Sequence, residues 1–125
     1  MFGKGVYFAD MSSKSANYCF TTRSNPVGLL MLCEVSLGTS NQLVAADCEA
    51  DQMPEGKHSV QGMGRIEPAG YKRMEDGLEI PVGLTKDTKV VNKRGYTLNY
   101  NEFIVYDTKQ IKMKYLAKIK FNYKI

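Results

Sequence analysis

The sequence predicts an α+β fold in which strands dominate and helix is scarce. Residues 29–37 form a nearly continuous apolar run bounded by Gly28 and Gly38, which is typical of a strand buried on both faces. Residues 96–107 and 110–122 have the pattern of two further strands. A chain of 125 residues suits one domain with one hydrophobic core.

The first quarter of the chain predicts a strand followed by the helix of this fold. Residues 5–9 are a short apolar and aromatic run, predicted to be a strand entered from a tight turn. Asp10, Ser12 and Ser13 are N-cap candidates, and the helix is expected to continue to about residue 22. The dipeptide at 25–26, Asn-Pro, is expected to end it.

The middle of the chain, residues 38–95, is rich in glycine, proline and charge. It predicts long loops with one or two short strands, such as residues 79–82. His58, the single histidine, has no visible Ser or Cys partner and no second metal ligand, so we do not interpret it as catalytic. The glycines around it are not framed by a strand and a helix, as a phosphate-binding loop requires.

Composition excludes several classes of protein. The hydrophobic fraction of 43% and the charged fraction of 24% are those of an ordinary globular domain. No apolar run approaches the ~20 residues of a membrane span, and no secretory signal is visible at the N-terminus. The three cysteines lack metal-ligand spacing, so a reduced intracellular compartment is expected.

The net charge of +4 is concentrated after Asp107. A basic run of this kind could contact nucleic acid or an acidic partner. We favour a solvated strand face, because lysines alternate there with apolar and aromatic residues. The lysines are Lys109, Lys112, Lys114, Lys118, Lys120 and Lys124.

Two clusters of side chains are candidates for chemistry. On the predicted helix, Lys14, Ser15 and Tyr18 share one face and offer a cation, a hydroxyl and an aromatic ring. The alternative is that Tyr18 only packs, with its hydroxyl at the surface. In residues 96–107, Glu102 is the only charged residue on a face of aromatic and aliphatic side chains. Such a carboxylate is either a catalytic or ligand-binding group, or a structural one at a sheet edge or beside a lysine.

Three segments, in order, resemble signature segments of the DNA-damage-type poly(ADP-ribose) polymerases. They are FGKGVYFADMSSKSANYC at 2–19, GKHSVQGMG at 56–64 and YNEFIVYD at 100–107. LLMLCEVSLG and YLAKIKFNYK also fit, whereas residues 65–95 are similar only in GLEIPVG. The resemblance covers nearly the whole chain. It implies that residues 1–125 are the C-terminal portion of an ADP-ribosyltransferase catalytic domain, built on a split and mostly antiparallel sheet.

The resemblance implies how NAD, the substrate, is bound. The family uses a His–Tyr–Glu trio, and Tyr7 and Glu102 match its Tyr and Glu. The nicotinamide ring is expected between the planes of Tyr7 and Tyr18, with the Ser15 hydroxyl bonded to its carboxamide. The residues expected to contact NAD are Gly5, Tyr7, Ala9, Ser15 and Tyr18, and no metal is expected.

The resemblance also implies the chemistry. Glu102, Tyr7 and Lys14 are the expected catalytic residues, with Lys14 near the reactive ribose and Tyr100 toward the acceptor. Breaking the nicotinamide–ribose bond passes through an oxocarbenium-like state, in which bonds to a sugar hydroxyl strengthen. Glu102 would bond the ribose 2′-hydroxyl and help to activate the incoming hydroxyl or carboxylate. Family members with an aliphatic residue there add single units, so Glu102 favours chain elongation.

Two hypotheses follow for function. The first is an NAD-dependent protein poly-ADP-ribosyltransferase that releases nicotinamide, in the nucleus and in DNA repair. Its expected partners are NAD and protein acceptors, including the enzyme itself and histones, with DNA reached only through upstream domains and no membrane. The second is a catalytically silent fragment or interaction module, because the family's upstream His-Gly segment is absent and His58 lies in a different motif. A small basic nucleic-acid binder is a third and weaker hypothesis.

Overall fold

The computed structural model describes residues 1–93, 95 and 98–124. One short helix and eight strands follow one another in this part of the chain. They are β1 (Val6–Phe8), α1 (Ser12–Ala16), β2 (Val27–Val35), β3 (Ser40–Leu43), β4 (Ser59–Gly62), β5 (Ile66–Arg73), β6 (Glu79–Asp87), β7 (Glu102–Val105) and β8 (Ile111–Lys120). Single turns of 3-10 helix, Asn17–Cys19 and Thr108–Gln110, follow α1 and precede β8. The predicted α+β class is confirmed.

The strands form three sheets. The largest has the order β1-β7-β4-β3, and its neighbours are antiparallel except for the parallel pair β3 and β4. The second is the antiparallel pair β2 and β8, and the third is the β5–β6 hairpin. Because β7 lies between β1 and β4, residues at its N-terminal end are close to both the β1–α1 connection and the loop after β4.

The core lies against the four-stranded sheet. Phe2, Ala50, Val60 and Ile104 form its buried cluster. Two tyrosine hydroxyls hold the backbone of Phe2: the Phe2 N–H donates to Tyr7 Oη over 3.1 Å, and Tyr106 Oη donates to the Phe2 carbonyl over 2.6 Å. These bonds tie the first residues of the chain to the sheet.

The β2–β8 pair differs from the prediction. Burial of residues 29–37 on both faces is wrong, since Leu29, Met31 and Leu32 are each more than half exposed. Among the described residues, α1 and the 3-10 turn at Asn17–Cys19 contact β2, and both are too short to cover the pair. Lys112, Lys118 and Lys120 of β8 are exposed as expected. Lys114 is half-buried and pairs with Glu34 over 3.5 Å, and Met113 on the same strand is exposed too. An apolar run therefore predicted the strand correctly and its burial wrongly.

The helix is shorter than predicted. It begins after Met11, not after a polar cap, and no side chain caps it. The helical turns end at Phe20, whose left-handed φ of 50° breaks the run well before Asn25 and Pro26. Thr22 and Asn25 then exchange two backbone hydrogen bonds of 3.0 and 3.1 Å, which closes a turn that competes with further helix.

The middle of the chain contains more strand than predicted. Residues 38–95 hold β3, β4, β5 and β6, so the expectation of one or two short strands is wrong. Asp76 and Gly77 form the turn between β5 and β6, and an Asp-Gly pair is a strong hairpin signal. The strands on either side of this turn contain Pro68 and Pro81. Because proline is uncommon in strands other than edge strands, the sequence pattern did not indicate a hairpin here.

The strand predicted at 96–107 is also shorter. β7 covers only Glu102–Val105, and before it Tyr100 makes an isolated parallel bridge to Ile66. Tyr96 and Thr97, the first residues of the predicted strand, lie outside the described residues.

Candidate active site

Glu102 and Lys14 form the most buried ion pair of the described residues. Glu102 opens β7 and is 8% exposed, and Lys14 Nζ lies 2.6 Å from its Oε1. The side chains of the lysine and glutamate are only 13% and 10% exposed. Removing either partner would leave an unpaired charge in a poorly hydrated place, which is strongly unfavourable. The pair therefore fixes the Glu102 carboxylate in position.

The second oxygen of this carboxylate is an unused hydrogen-bond acceptor in the described part of the chain. Glu102 Oε2 is buried and has no hydrogen-bond partner among the described residues. A carboxylate oxygen can only accept hydrogen bonds, and a buried acceptor without a donor is costly. The sequence left open whether Glu102 is a ligand-binding group or is paired with a structural lysine. The structure shows the lysine pair at one oxygen and an unused acceptor at the other.

A second link connects the same two segments of the chain. Asn101, 1% exposed, donates from Nδ2 to Asp10 Oδ2 over 3.0 Å and accepts at Oδ1 from the Gly64 N–H over 2.8 Å. Burial raises the pKa of the Asp10 carboxyl above its ordinary value, while the Asn101 hydrogen bond lowers it by less. Asp10 Oδ1 is buried without a partner among the described residues.

Glycine at position 64 is required for this link. A Cβ there would lie 2.1 Å from the Tyr100 carbonyl carbon, a distance that no side chain can accept. The close backbone approach brings the Gly64 N–H to the amide of Asn101, one residue after Tyr100. Gly64, noted in the sequence only as part of a glycine-rich segment, thus packs the loop after β4 against the start of β7.

An open groove of about 1440 Å³ collects part of the predicted NAD site. Tyr7 of β1, Ala9 just after it and Ser15 of α1 line the groove together with residues of β2 and of the β5–β6 hairpin. The Tyr7 hydroxyl donates to the Gly3 carbonyl over 2.6 Å, so it is already engaged. Gly5 passes so close to Ile104 that a Cβ would lie 2.6 Å from its Cγ2, which is a packing reason for glycine there.

The structure does not bring all predicted site residues into one cavity. Among the described residues, Glu102, Lys14 and Tyr18 are not in the lining of the groove, and Tyr18 is 68% exposed. Tyr100 lines a separate, smaller pocket of about 470 Å³ beside Ile66. Lys14 and Glu102 therefore form one group. Tyr7, Ala9 and Ser15 form a second group in the groove, and Lys14 and Ser15 are consecutive in α1.

Other sequence features have structural positions away from these groups. His58 accepts a 3.0 Å hydrogen bond at Nδ1 from the Thr39 N–H, before β3. Within residues 1–93, 95 and 98–124, no three His, Cys, Asp or Glu side chains are arranged to hold a metal ion. The described part of the chain has no helix of the length and hydrophobicity needed to cross a bilayer.

Sequence reasoning missed the Asp10–Asn101 link. The sequence pattern identifies Asp10 only as an N-cap candidate, and it assigns no role to Asn101. The two are 91 positions apart, and their contact depends on the pairing of β1 with β7. The only available signal was that both lie within the two motifs that contain Lys14 and Glu102.

Comparisons with known proteins show which family the chain belongs to. The family model of the poly(ADP-ribose) polymerase catalytic domain matches residues 1–121. Similar relatives include poly(ADP-ribose) polymerase 2 of Homo sapiens, 51% identical over 98% of this chain and 21% of the relative. Poly(ADP-ribose) polymerase 2-B of Oryza sativa is 51% identical over 99% of this chain and 20% of the relative. Poly(ADP-ribose) polymerase 1 of Xenopus laevis is 50% identical over 99% of this chain and 12% of the relative.

The chain belongs to the poly(ADP-ribose) polymerase catalytic domain family. The resemblance carried by the three motifs is confirmed. The chain spans about a fifth or less of the length of these relatives.

Proposed function

We propose that this chain supplies part of the active site of an NAD-dependent protein poly-ADP-ribosyltransferase. The observation that carries the proposal is the buried Glu102 carboxylate, held by Lys14 at one oxygen and free at the other. A fixed acceptor in a poorly hydrated place stabilises positive charge that develops nearby, and needs little reorganisation to do so. Membership of the polymerase family supports NAD as the substrate.

In the proposed reaction, the bond between nicotinamide and the ribose C1′ breaks, and nicotinamide leaves with the bonding electrons. The ribose acquires oxocarbenium character, and Glu102 Oε2 accepts a hydrogen bond from its 2′-hydroxyl, which strengthens as charge develops. An acceptor oxygen then bonds to C1′, and its proton, where it has one, passes to a base such as Glu102. In elongation the acceptor is a hydroxyl of the growing chain, so the same carboxylate serves both events.

The remaining proposed roles concern binding of the nicotinamide part of NAD by residues of β1, α1 and the segments beside them. Tyr7 and Tyr18 are proposed to stack on the nicotinamide ring, and Ser15 to bond its carboxamide. Gly5 and Ala9 would contact NAD through their backbone. The ring of Tyr7 can stack although its hydroxyl is engaged by Phe2 and Gly3, since stacking uses the ring face.

Lys14 and Tyr100 complete the proposal for the site. Lys14 lies near the reactive ribose in this scheme and holds Glu102. Tyr100 is placed on the acceptor side, and its position in a separate pocket beside Ile66 is compatible with that assignment.

We further propose that the chain is the C-terminal portion of a catalytic domain in a nuclear enzyme of DNA repair. Its acceptors would be proteins, including the enzyme itself and histones, while DNA would be bound by other segments of the natural protein. No metal is assigned a role.

A catalytically silent interaction module is the second candidate function. It is favoured by the exposed apolar residues of β2 and β8, which suit a binding face. Thermal shift separates the two candidates: a ligand that binds the folded state raises the melting temperature. Stabilisation by NAD or nicotinamide supports the enzyme, and no shift at millimolar ligand supports the module.

The test of the proposed function is the Glu102→Gln variant of the full-length natural protein. Glutamine keeps the shape but removes the charge, so kcat should fall by roughly a hundredfold or more, as for loss of one preorganised electrostatic group. The KM for NAD should change little, which is the pattern of an interaction made in the transition state. Polymer length per initiation, measured on gels, should fall as well.

The matched control is Glu67→Gln. Glu67 is also paired with a lysine, Lys86, but at 3.7 Å and near the surface, where such a pair contributes little. The Glu67→Gln substitution should therefore leave turnover and polymer length unchanged. Normal polymers from the Glu102→Gln protein would remove Glu102 from the mechanism and refute the proposed function.

A further inference from the structure

Two bridges run side by side between the same two segments. Asp10 and Lys14 belong to the stretch from the end of β1 into α1, and Asn101 and Glu102 are consecutive at the start of β7. Lys14 pairs with Glu102, and Asp10 accepts from Asn101. One bridge contains the proposed catalytic carboxylate, while the other contacts no group to which the proposed function assigns a role.

The second bridge restricts the movements that would break the first. Lysine has a long and flexible side chain, and holding it in one geometry costs conformational entropy. The Asn101 amide contacts both the residue before α1 and, through the Gly64 N–H, the loop after β4. Three chain segments thus meet at one buried side chain, next to Glu102. Their relative position sets where the Lys14 ammonium can lie.

We propose that Asp10 and Asn101 are positioning residues, which hold α1 against β7 so that Lys14 and Glu102 meet in one fixed geometry. The inference rests on the proposed function, since it names the residues that orient the carboxylate of that site. Asp10 also lines the groove beside Tyr7 and Ala9, but the role proposed for Asp10 and Asn101 does not require contact with NAD. Their effect is transmitted through the Lys14–Glu102 pair.

The chemistry of the bridge supports a role beyond stability. Asp10 Oδ1 is buried and unpartnered among the described residues, and a carboxylate in that condition reduces the stability of the fold. Asp10 also does not cap α1, whose first turn lacks a side-chain cap. The contacts show that the Asp10 carboxylate holds Asn101, which is the residue before Glu102.

The first experiment measures the geometry of the pair without requiring activity. The full-length natural protein is treated with limiting acetic anhydride, and acetylation of each lysine is quantified by mass spectrometry. Lys14 should be protected in the wild type. It should become several-fold more reactive in Asp10→Ala and in Asn101→Ala.

Two controls accompany this measurement. Asp10→Asn retains an oxygen that can accept from Asn101, so it should restore the protection of Lys14. Lys57 donates to the Ser40 carbonyl away from the site, and its unchanged reactivity shows that the fold is intact. Asp47→Ala, which removes an exposed turn carboxylate, should have no effect. Unchanged protection of Lys14 in both alanine variants overturns the inference.

The second experiment is steady-state kinetics on the same proteins. Misplaced reacting groups lower turnover by about ten- to hundredfold, so kcat should fall in Asp10→Ala while the KM for NAD stays nearly constant. Asp10→Asn should recover most of kcat, which general destabilisation would not predict. An equal fall of kcat in Asp10→Asn and Asp10→Ala would overturn the inference.

The two proposals can fail separately. If Glu102→Gln turns over normally while Lys14 becomes reactive in Asp10→Ala, the proposed function fails and the positioning of the pair stands. If Glu102→Gln is inactive while Asp10→Ala and Asn101→Ala keep full turnover, the proposed function stands and the positioning role fails.

Discussion

Tyr106 shows at the scale of one residue how burial and a hydrogen bond become a measurable pH dependence. Its hydroxyl donates to the Phe2 carbonyl over 2.6 Å. Burial, with smaller contributions from Tyr7, Asp51 and Asp47, raises the pKa of Tyr106 from 10.0 to about 12. The folded state therefore retains this proton at a pH where the unfolded chain has lost it.

The sign of the pH effect follows from proton linkage. Between pH 10 and about 12 the folded state binds more protons than the unfolded state, so its stability falls as pH rises. The contribution is fully present below pH 10 and is lost as pH passes through the pKa of the folded state. In Tyr106→Phe this part of the dependence should be absent, as measured by melting temperature against pH.

Absorbance at 295 nm provides the direct check. The late-titrating phenolate signal should decrease in Tyr106→Phe but remain in Tyr123→Phe, whose hydroxyl contacts Thr21 at the surface. The same late amplitude in wild type and Tyr106→Phe would contradict the assignment.

Single residues differ in how far the sequence could predict them. Glu102 could be singled out because strand alternation placed one charge among apolar neighbours, and that argument is local. The partner of Asp10 could not be predicted from the sequence, because the Asp10–Asn101 contact spans 91 positions and depends on strand pairing. The engaged hydroxyl of Tyr7 is another such case, since its partner Phe2 is in position only because the core forms around it.

The β5–β6 hairpin gives a test at the scale of the element. Gly77 has a φ of +86° in its turn, and a Cβ there would meet only Arg73 Nη2, at 3.9 Å. Alanine would therefore fit sterically, but the left-handed backbone would cost about 1–2 kcal/mol. Gly77→Ala should lower the free energy of unfolding by this amount in a urea titration.

Gly70 in the same hairpin is the matched control. No positive φ is required there, and the nearest atom to a built Cβ is the Val82 carbonyl oxygen at 4.0 Å. Gly70→Ala should be neutral or stabilise by about 0.4–1 kcal/mol, because alanine reduces the freedom of the unfolded chain. Equal losses in both variants would show that the turn conformation is not what selects glycine.

Elements were predictable where the signal was local. Short runs of apolar and aromatic residues predict β1, β2 and β8. The helix was predicted from N-cap candidates, although none of them caps it in the structure. The hairpin was missed because its prolines obscured an Asp-Gly turn, and the helix end was misplaced because Phe20 is an uncommon residue for a left-handed conformation. The parallel pairing of β3 with β4 has no local signal at all.

At the scale of the whole molecule, the exposed surface is larger than expected. It is 9123 Å² for a chain of 14.0 kDa, whereas a compact monomer of that mass exposes about 6,700 Å². Several of the exposed large apolar side chains lie on the β2–β8 pair, among them Leu29, Met31 and Met113. Sequence patterning indicated that this pair should be covered, but a pattern cannot identify the covering group.

This surface leads to a prediction about association. Tyr115 and Leu116 of β8 are 68% and 62% exposed, and as consecutive strand residues they lie on opposite faces of the β2–β8 pair. Exposed apolar side chains on either face promote self-association. Replacing both by threonine keeps strand propensity while removing apolar area. The double variant should bind less hydrophobic dye and should elute from size exclusion with less concentration dependence than the wild type.

Stability distinguishes this explanation from a core role for the two side chains. Exposed substitutions change the free energy of unfolding by less than about 0.5 kcal/mol, because the side chains are already in water before unfolding. The melting temperature of the double variant should therefore stay close to that of the wild type. Val60→Thr serves as the opposite control: Val60 is fully buried in the core, so placing a hydroxyl there should destabilise without reducing dye binding. A double variant that loses stability as Val60→Thr does would show that Tyr115 and Leu116 are covered in the folded protein, and that the β2–β8 pair presents no free apolar surface at these positions.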